Sequence, residues 1–227
     1  MRKISVFTLV LSLVLTATSA GAAAELEWED GVTVRAPEVP FSVRGNLVGQ
    51  TVFEHVSSDV RESESSFSVQ RLRPSIRGTA YHESLSYFLM MENAGTSRLL
   101  DFWVDYSSHE NLSLRMGQMK VPFNREFLMS ITQFLTPNRS LANNRFQFPG
   151  GWDAGVMLHG QSLEYEDFSY KVGVYDGQGP NNSSNTNGLL YSGRLEWAPK
   201  GDYTRSDVLV KPTKRAEFVA GAGAFYA

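Results

Sequence analysis

Apolar and polar residues alternate with period two in segments of about ten residues from Phe41 onward. That spacing turns successive side chains to opposite faces of a β-strand. In the first segment Phe41, Val43, Gly45, Leu47, Gly49, Thr51 and Phe53 share one face, with Ser42, Arg44, Asn46 and Gln50 on the other. In the second, Leu72, Pro74, Ile76, Gly78 and Ala80 oppose Arg71, Arg73, Ser75, Arg77 and Thr79. Pro74 is the one irregularity, because proline has no ladder donor. Seven more segments, with apolar positions starting at Leu85, Leu100, Leu112, Val156, Phe168, Tyr191 and Phe218, repeat the pattern. The alternation predicts nine strands and no amphipathic helix.

Charge sorts by face. No charged side chain falls on any of the nine apolar faces, whereas Arg44, Arg71, Arg73, Arg77, Arg115, Lys171 and Arg194 share the polar faces with Glu54, Glu92, Asp101, Asp105, Glu196 and Glu217. A membrane barrel turns its apolar face to lipid and its charges inward, and a soluble sandwich packs the apolar faces together. Periodicity alone leaves both open. Aromatic residues near the strand ends, among them Phe53, Tyr106, Phe168, Trp197 and Tyr226, match the interfacial girdles of a barrel.

Ahead of the strands, Arg2 and Lys3 precede an apolar run from Ile4 to Leu15 and the small residues ending at Ala22, Ala23 and Ala24. This is the order of a secretory signal, with cleavage expected before Glu25, and the apolar run is too short to span a membrane as a helix. A lipoprotein anchor is excluded by the absence of cysteine. Residues 25–40 then form a short N-terminal segment. Removing residues 1–24 leaves 19 basic against 24 acidic side chains, a net charge of −5 where the whole chain has −3.

Composition narrows the chemistry. The 227 residues are 42% hydrophobic, which excludes wholesale disorder, and the acidic balance argues against a nucleic-acid partner. Without cysteine there is no disulfide framework, thiolate zinc site or cysteine nucleophile. His55, His82, His109 and His159 stand singly, so no metal site or cofactor is expected. Asp176-Gly177-Gln178-Gly179 offers one carboxylate, too few for calcium. No nucleophile elbow or phosphate-binding loop occurs, and the chain is not read as an enzyme.

Connection lengths alternate. The stretches 55–65, 93–98, 122–152 and 176–188 are longer than their neighbours 82–83, 107–110 and 161–166, the long and short sides of an outer-membrane barrel. The connection 199–216 breaks the rule. The 122–152 loop is long enough to expect a role of its own.

At this loop the chain resembles a known family. Gly117-Gln118-Met119-Lys120-Val121-Pro122-Phe123, leading through Arg139-Ser140-Leu141-Ala142 to Gly155-Val156-Met157-Leu158-His159-Gly160, resembles the phosphate-selective porin O and P family. Arg71-Leu72-Arg73, Gly193-Arg194-Leu195-Glu196 and the closing segment Phe218 to Ala224 support the resemblance over residues 40–227. It implies an all-β, antiparallel transmembrane barrel of sixteen strands, usually a homotrimer in the outer membrane of a Gram-negative bacterium. Its third loop would fold inward to narrow the pore, and its wall would carry arginines that guide anions. This chain, with about nine of those strands in 41–227, reads as a truncated first half. Nine is odd for a bacterial single-chain barrel, and open edges in lipid are costly, so the half alone is not expected to be a working pore.

The expected function is passive diffusion of small anions, phosphate or polyphosphate. Arg44, Arg71, Arg73, Arg77 and Arg115 are the expected wall sites, and Arg125, Arg139 and Arg145 the constriction sites. Guanidinium groups hold phosphate bidentately and keep their charge. Lys120 is added as a position the resemblance suggests, although its parity places it on the apolar face. Arginines that merely balance the inward acids are the plainer reading of the same residues. A secreted or surface β-rich interaction protein and a remnant without function are the alternatives to a porin.

Overall fold

The computed structural model describes residues 25–28, 31–36, 40–57, 63–109, 111–162, 167–182, 188–200 and 218–227. The expected signal, residues 1–24, and most of the 199–216 connection lie outside them. Eleven strands occur among the described residues. They are β1 (Glu25–Trp28), β2 (Val32–Ala36), β3 (Phe41–Val56), β4 (Glu64–Ala80), β5 (His82–Glu92), β6 (Arg98–His109), β7 (Leu112–Lys120), β8 (Trp152–Gln161), β9 (Phe168–Tyr175), β10 (Leu190–Lys200) and β11 (Phe218–Tyr226). All nine expected strands are present as β3 to β11. Residues 25–40, expected only as a short segment, contribute β1 and β2, which at four and five residues are too short to display a period.

The chain divides into two compact units, one ending at Ser97 and the other beginning at Arg98. In the first, β1 to β4 pair antiparallel in chain order, and β5 pairs with β4. β4 runs through Pro74, which stands opposite Leu47, and a bulge interrupts the register at Gln50 and Thr51. In the second unit β6 to β11 likewise pair antiparallel in chain order. Consecutive antiparallel pairing is what short hairpin connections enforce. No helix among the described residues is long and apolar enough to cross a membrane.

Burial runs opposite to that of a soluble domain. Leu47, Phe53, Phe102, Tyr106, Met116, Val172 and Leu195, all from the apolar faces, are more than half exposed. Arg73, Glu92, Asp101, Asp105, Arg194 and Glu196, all from the polar faces, are less than a tenth exposed. The apolar faces therefore do not pack into a second layer within either unit, as a sandwich would require. Cross-strand aromatic pairs mark the ends of these faces. Phe53 lies 4.8 Å from Phe67, and Trp197 stacks on Phe168 at 5.9 Å.

Leu100 departs from the parity reading and is buried. At that strand end Gln118 Nε2 donates to the carbonyls of Leu99 and Leu100, and Asn181 of the β9–β10 connection bonds both Gln118 and Leu99. The connection thus covers the start of β6.

The long loop 122–152 holds α1 (Arg125–Leu128), a 3-10 turn (Ile131–Gln133) and α2 (Leu141–Phe146). All are too short for helical periodicity, but each start is capped. Asn124, Ser130 and Ser140 accept from the backbone N–H groups of Phe127, Thr132 and Asn143, and Ser130 with Gln133 completes a capping box. The apolar core of the second unit lies where this loop docks. Val121 and Phe148 pack with Met119, Met157, Tyr175 and Leu190. By strand register these strand residues share the face of Arg115 and Arg194. Each fully buried side chain of this kind contributes about 1.5–3 kcal/mol, which offsets the entropy of ordering the loop.

Candidate functional site

In the first unit the register of β3 and β4 sets the arginines in place. Arg44 stands directly opposite Arg77, and Gln50 opposite Arg71. The Arg44 Nε donates to Thr33 Oγ1 at 3.0 Å. Arg71 Nη1 donates to Gln70 Oε1 at 2.9 Å and also to Gln50 Oε1. Arg73 is buried, its Nε donating to Glu92 Oε2 at 2.7 Å. The other oxygen of Glu92 accepts the backbone N–H groups of Leu72 and Ala94. No acid neighbours Arg73 within β4, and the one that neutralises it comes from β5. Arg77 is exposed, and its guanidinium lies over the Phe88 ring at 5.9 Å. Among the described residues it has no acidic partner.

Arg115 in the second unit is also committed. Its Nε donates to Asp105 Oδ2 at 2.7 Å, and its guanidinium stacks on Trp103 at 3.7 Å. His159 Nε2 lies 2.8 Å from the same carboxylate oxygen. Register extends this face sideways, placing His159 opposite Lys171 and Lys171 opposite Arg194. Arg194 binds Glu196 through Nε and Nη2 at 3.2 and 2.9 Å. The His159, Lys171 and Arg194 row was not among the expected sites. Its parity was readable, but the alignment of three strands depends on register.

The face of β10 also holds the root of the long loop. Ser192 Oγ donates to the Pro122 carbonyl at 3.0 Å, Arg194 Nη1 donates to that of Phe123 at 2.9 Å, and Phe123 meets Phe225 edge to face. At the far end of the loop Trp152 Nε1 donates to Asp101 Oδ2 at 2.8 Å.

The four loop cations differ in what they touch. Lys120 does not lie free on an apolar face. Its Nζ donates to the carbonyls of Leu128 at 3.2 Å and Met129 at 2.8 Å, with the Phe127 and Trp152 rings 5.5 and 5.9 Å away. It is the last residue of β7, and the chain that follows turns back over it. Arg139 donates to the carbonyls of Glu126, Phe127 and Met129 at 3.3–3.4 Å and lies over the rings of Phe127 and Phe134. Arg125 is half-buried in α1. Arg145 on α2 is exposed and makes no hydrogen bond or ion pair among the described residues. Glu126 accepts from the hydroxyl of Ser140 at 2.6 Å and from its backbone N–H, closing α1 onto α2.

The described residues contain no group of His, Asp and Glu able to hold a metal ion. What the face offers is guanidinium and ammonium groups among carboxylates, the chemistry of reversible anion contact. Residues 41–214 match the family described as phosphate-selective porin O and P. Among curated proteins none matches the chain.

Proposed function

The chain belongs to the phosphate-selective porin O and P family, and on that premise we propose that its polar face guides small anions, phosphate or polyphosphate, by passive diffusion across the outer membrane. The fold is an antiparallel β-structure of porin barrel type, and the family is one of channels rather than enzymes. The exposed apolar faces fit a lipid environment, and the loop 122–152, docked on the polar face, fits a constriction. Export through the general secretory route on residues 1–24 and assembly of the full-length protein as a homotrimer belong to the same proposal.

The observation that carries it is the placement of Arg44 directly opposite Arg77. Like charges directly opposite across a ladder repel, and an anion between them relieves the repulsion. A guanidinium keeps its charge and offers a planar fork to phosphate oxygens. Arg73, Arg115 and Arg194, each ion-paired, contribute little surplus charge. Arg77 on the wall and Arg145 on the loop, which have no acidic partner among the described residues, contribute to the surplus. Moderate sites of this kind admit an anion and still release it.

The test is the reversal potential of channels formed by the full-length protein in planar bilayers under a salt gradient. The double variant Arg77→Ser with Arg145→Ser is expected to move it toward cation permeation. An unchanged potential would refute the assignment of these two residues, and the absence of any current from the unaltered full-length protein would refute the channel itself.

A further inference from the structure

Both cations at the two ends of the loop's first half converge on one carbonyl. Lys120 Nζ and Arg139 Nη2 each donate to the oxygen of Met129, at 2.8 and 3.3 Å, and each lies over the ring of Phe127, at 5.5 and 4.9 Å. Phe127 is nearly fully buried, and its ring meets Trp152 edge to face at 4.8 Å. The carbonyls of Glu126, Phe127 and Leu128 are taken up by the same two side chains. These are the carbonyls that α1 leaves without helical partners. A cation over an aromatic face and on a carbonyl oxygen has its donors directed inward, into the loop.

We infer that Lys120 and Arg139 are positioning residues that clamp the loop around Phe127 and so set the width of the constriction, and that neither is an anion contact. The inference rests on the proposed function only for its consequence, the width of a pore. Arg139 joins the stretch before α2 to the end of α1, and Lys120 joins β7 to the same point, so the first half of the loop is closed on itself at Met129. Removing Arg139 takes away the side-chain donor of the Glu126 and Phe127 carbonyls, removing Lys120 that of Leu128, and either loss leaves Met129 with one donor in place of two. Hydrogen bonds to charged groups are among the stronger ones, and each loss is expected to raise the undocked population of the loop about ten- to a hundredfold.

Hydrogen exchange reads that population directly. The amides of Phe127, Leu128 and Met129, whose acceptors are Asn124 Oδ1, the Asn124 carbonyl and the Arg125 carbonyl, are the reporters. In Lys120→Met and in Arg139→Met they are expected to exchange about tenfold faster or more, while the amides of β9 and β10 keep their protection. Lys120→Arg, which retains donors for the same carbonyls, is expected to restore slow exchange. In bilayers the two methionine variants are expected to change conductance and keep the reversal potential. Unchanged exchange together with a reversal potential shifted toward cations would overturn the inference and make both residues anion ligands. If Lys120→Met also loosens β9 and β10, Lys120→Arg decides, and fast loop exchange in that variant overturns the clamp. Absence of current from the unaltered full-length protein refutes the channel reading and leaves the exchange measurement as the test of the clamp.

Discussion

The Arg73 guanidinium and the Glu92 carboxylate meet at 2.7 Å with both side chains less than a tenth exposed, and Glu92 also accepts two backbone N–H groups. Removing one partner of such a pair leaves a buried charge without compensation. Glu92→Gln is therefore expected to destabilise the chain by about 3–5 kcal/mol. Denaturant titration of the protein folded in detergent or lipid checks it, and a loss under about 1 kcal/mol, the range of an exposed pair, would show that the pair is solvent-screened.

Asp105 offers one oxygen to two partners, Arg115 and His159, and its second oxygen is buried without a hydrogen bond. Asp105→Asn removes the charge that neutralises Arg115. Anion preference is expected to rise, and stability to fall by a few kcal/mol as the buried contacts weaken. Reversal potential and denaturant titration measure the two effects separately, and a shift toward cations would contradict the assignment of this face as the conducting one.

Gly151 adopts a φ of +74°, and a Cβ there would sit 2.1 Å from the Phe127 ring. Gly151→Ala combines a left-handed backbone, costing about 1–3 kcal/mol, with displacement of the ring that both clamp cations cover. Trypsin is expected to cut after Arg145, exposed on α2, markedly faster in this variant. Cleavage at the unaltered rate would mean that the Phe127 seat does not govern the loop.

Met116 and Leu195 lie mid-strand on apolar faces and are more than half exposed. An arginine facing lipid near the bilayer midplane costs about 2–4 kcal/mol. Met116→Arg and Leu195→Arg are each expected to reduce folding into lipid vesicles by that amount, measured by urea titration. Full tolerance would place these residues in water.

Much of this structure is local in origin. The alternation from Phe41 to Phe53 and its repeats set strand class and face, because a strand turns each side chain by a constant half-turn that needs no partner. The caps at Asn124, Ser130 and Ser140 are local too, since each bonds a backbone group two or three residues away. β1 and β2 escaped detection because strands of four and five residues show no period.

Pairing across the chain could not be read this way. Whether Arg73 is neutralised depends on Glu92, 19 positions on, and the Arg115 cluster draws its histidine from 54 positions after Asp105. Arg139 and Arg145 looked equivalent as cations of one loop, while the parity of Lys120 pointed to the apolar face, and only the folded loop brings Lys120 and Arg139 to the Met129 carbonyl and leaves Arg145 exposed.

The sequence by itself determined which face of each strand is apolar and which carries charge, because that follows from residue type and a period of two. The tertiary structure alone decided which of those charges remain in surplus, because strand register and loop docking choose the partner of each guanidinium, and both are set by packing between segments far apart in the chain.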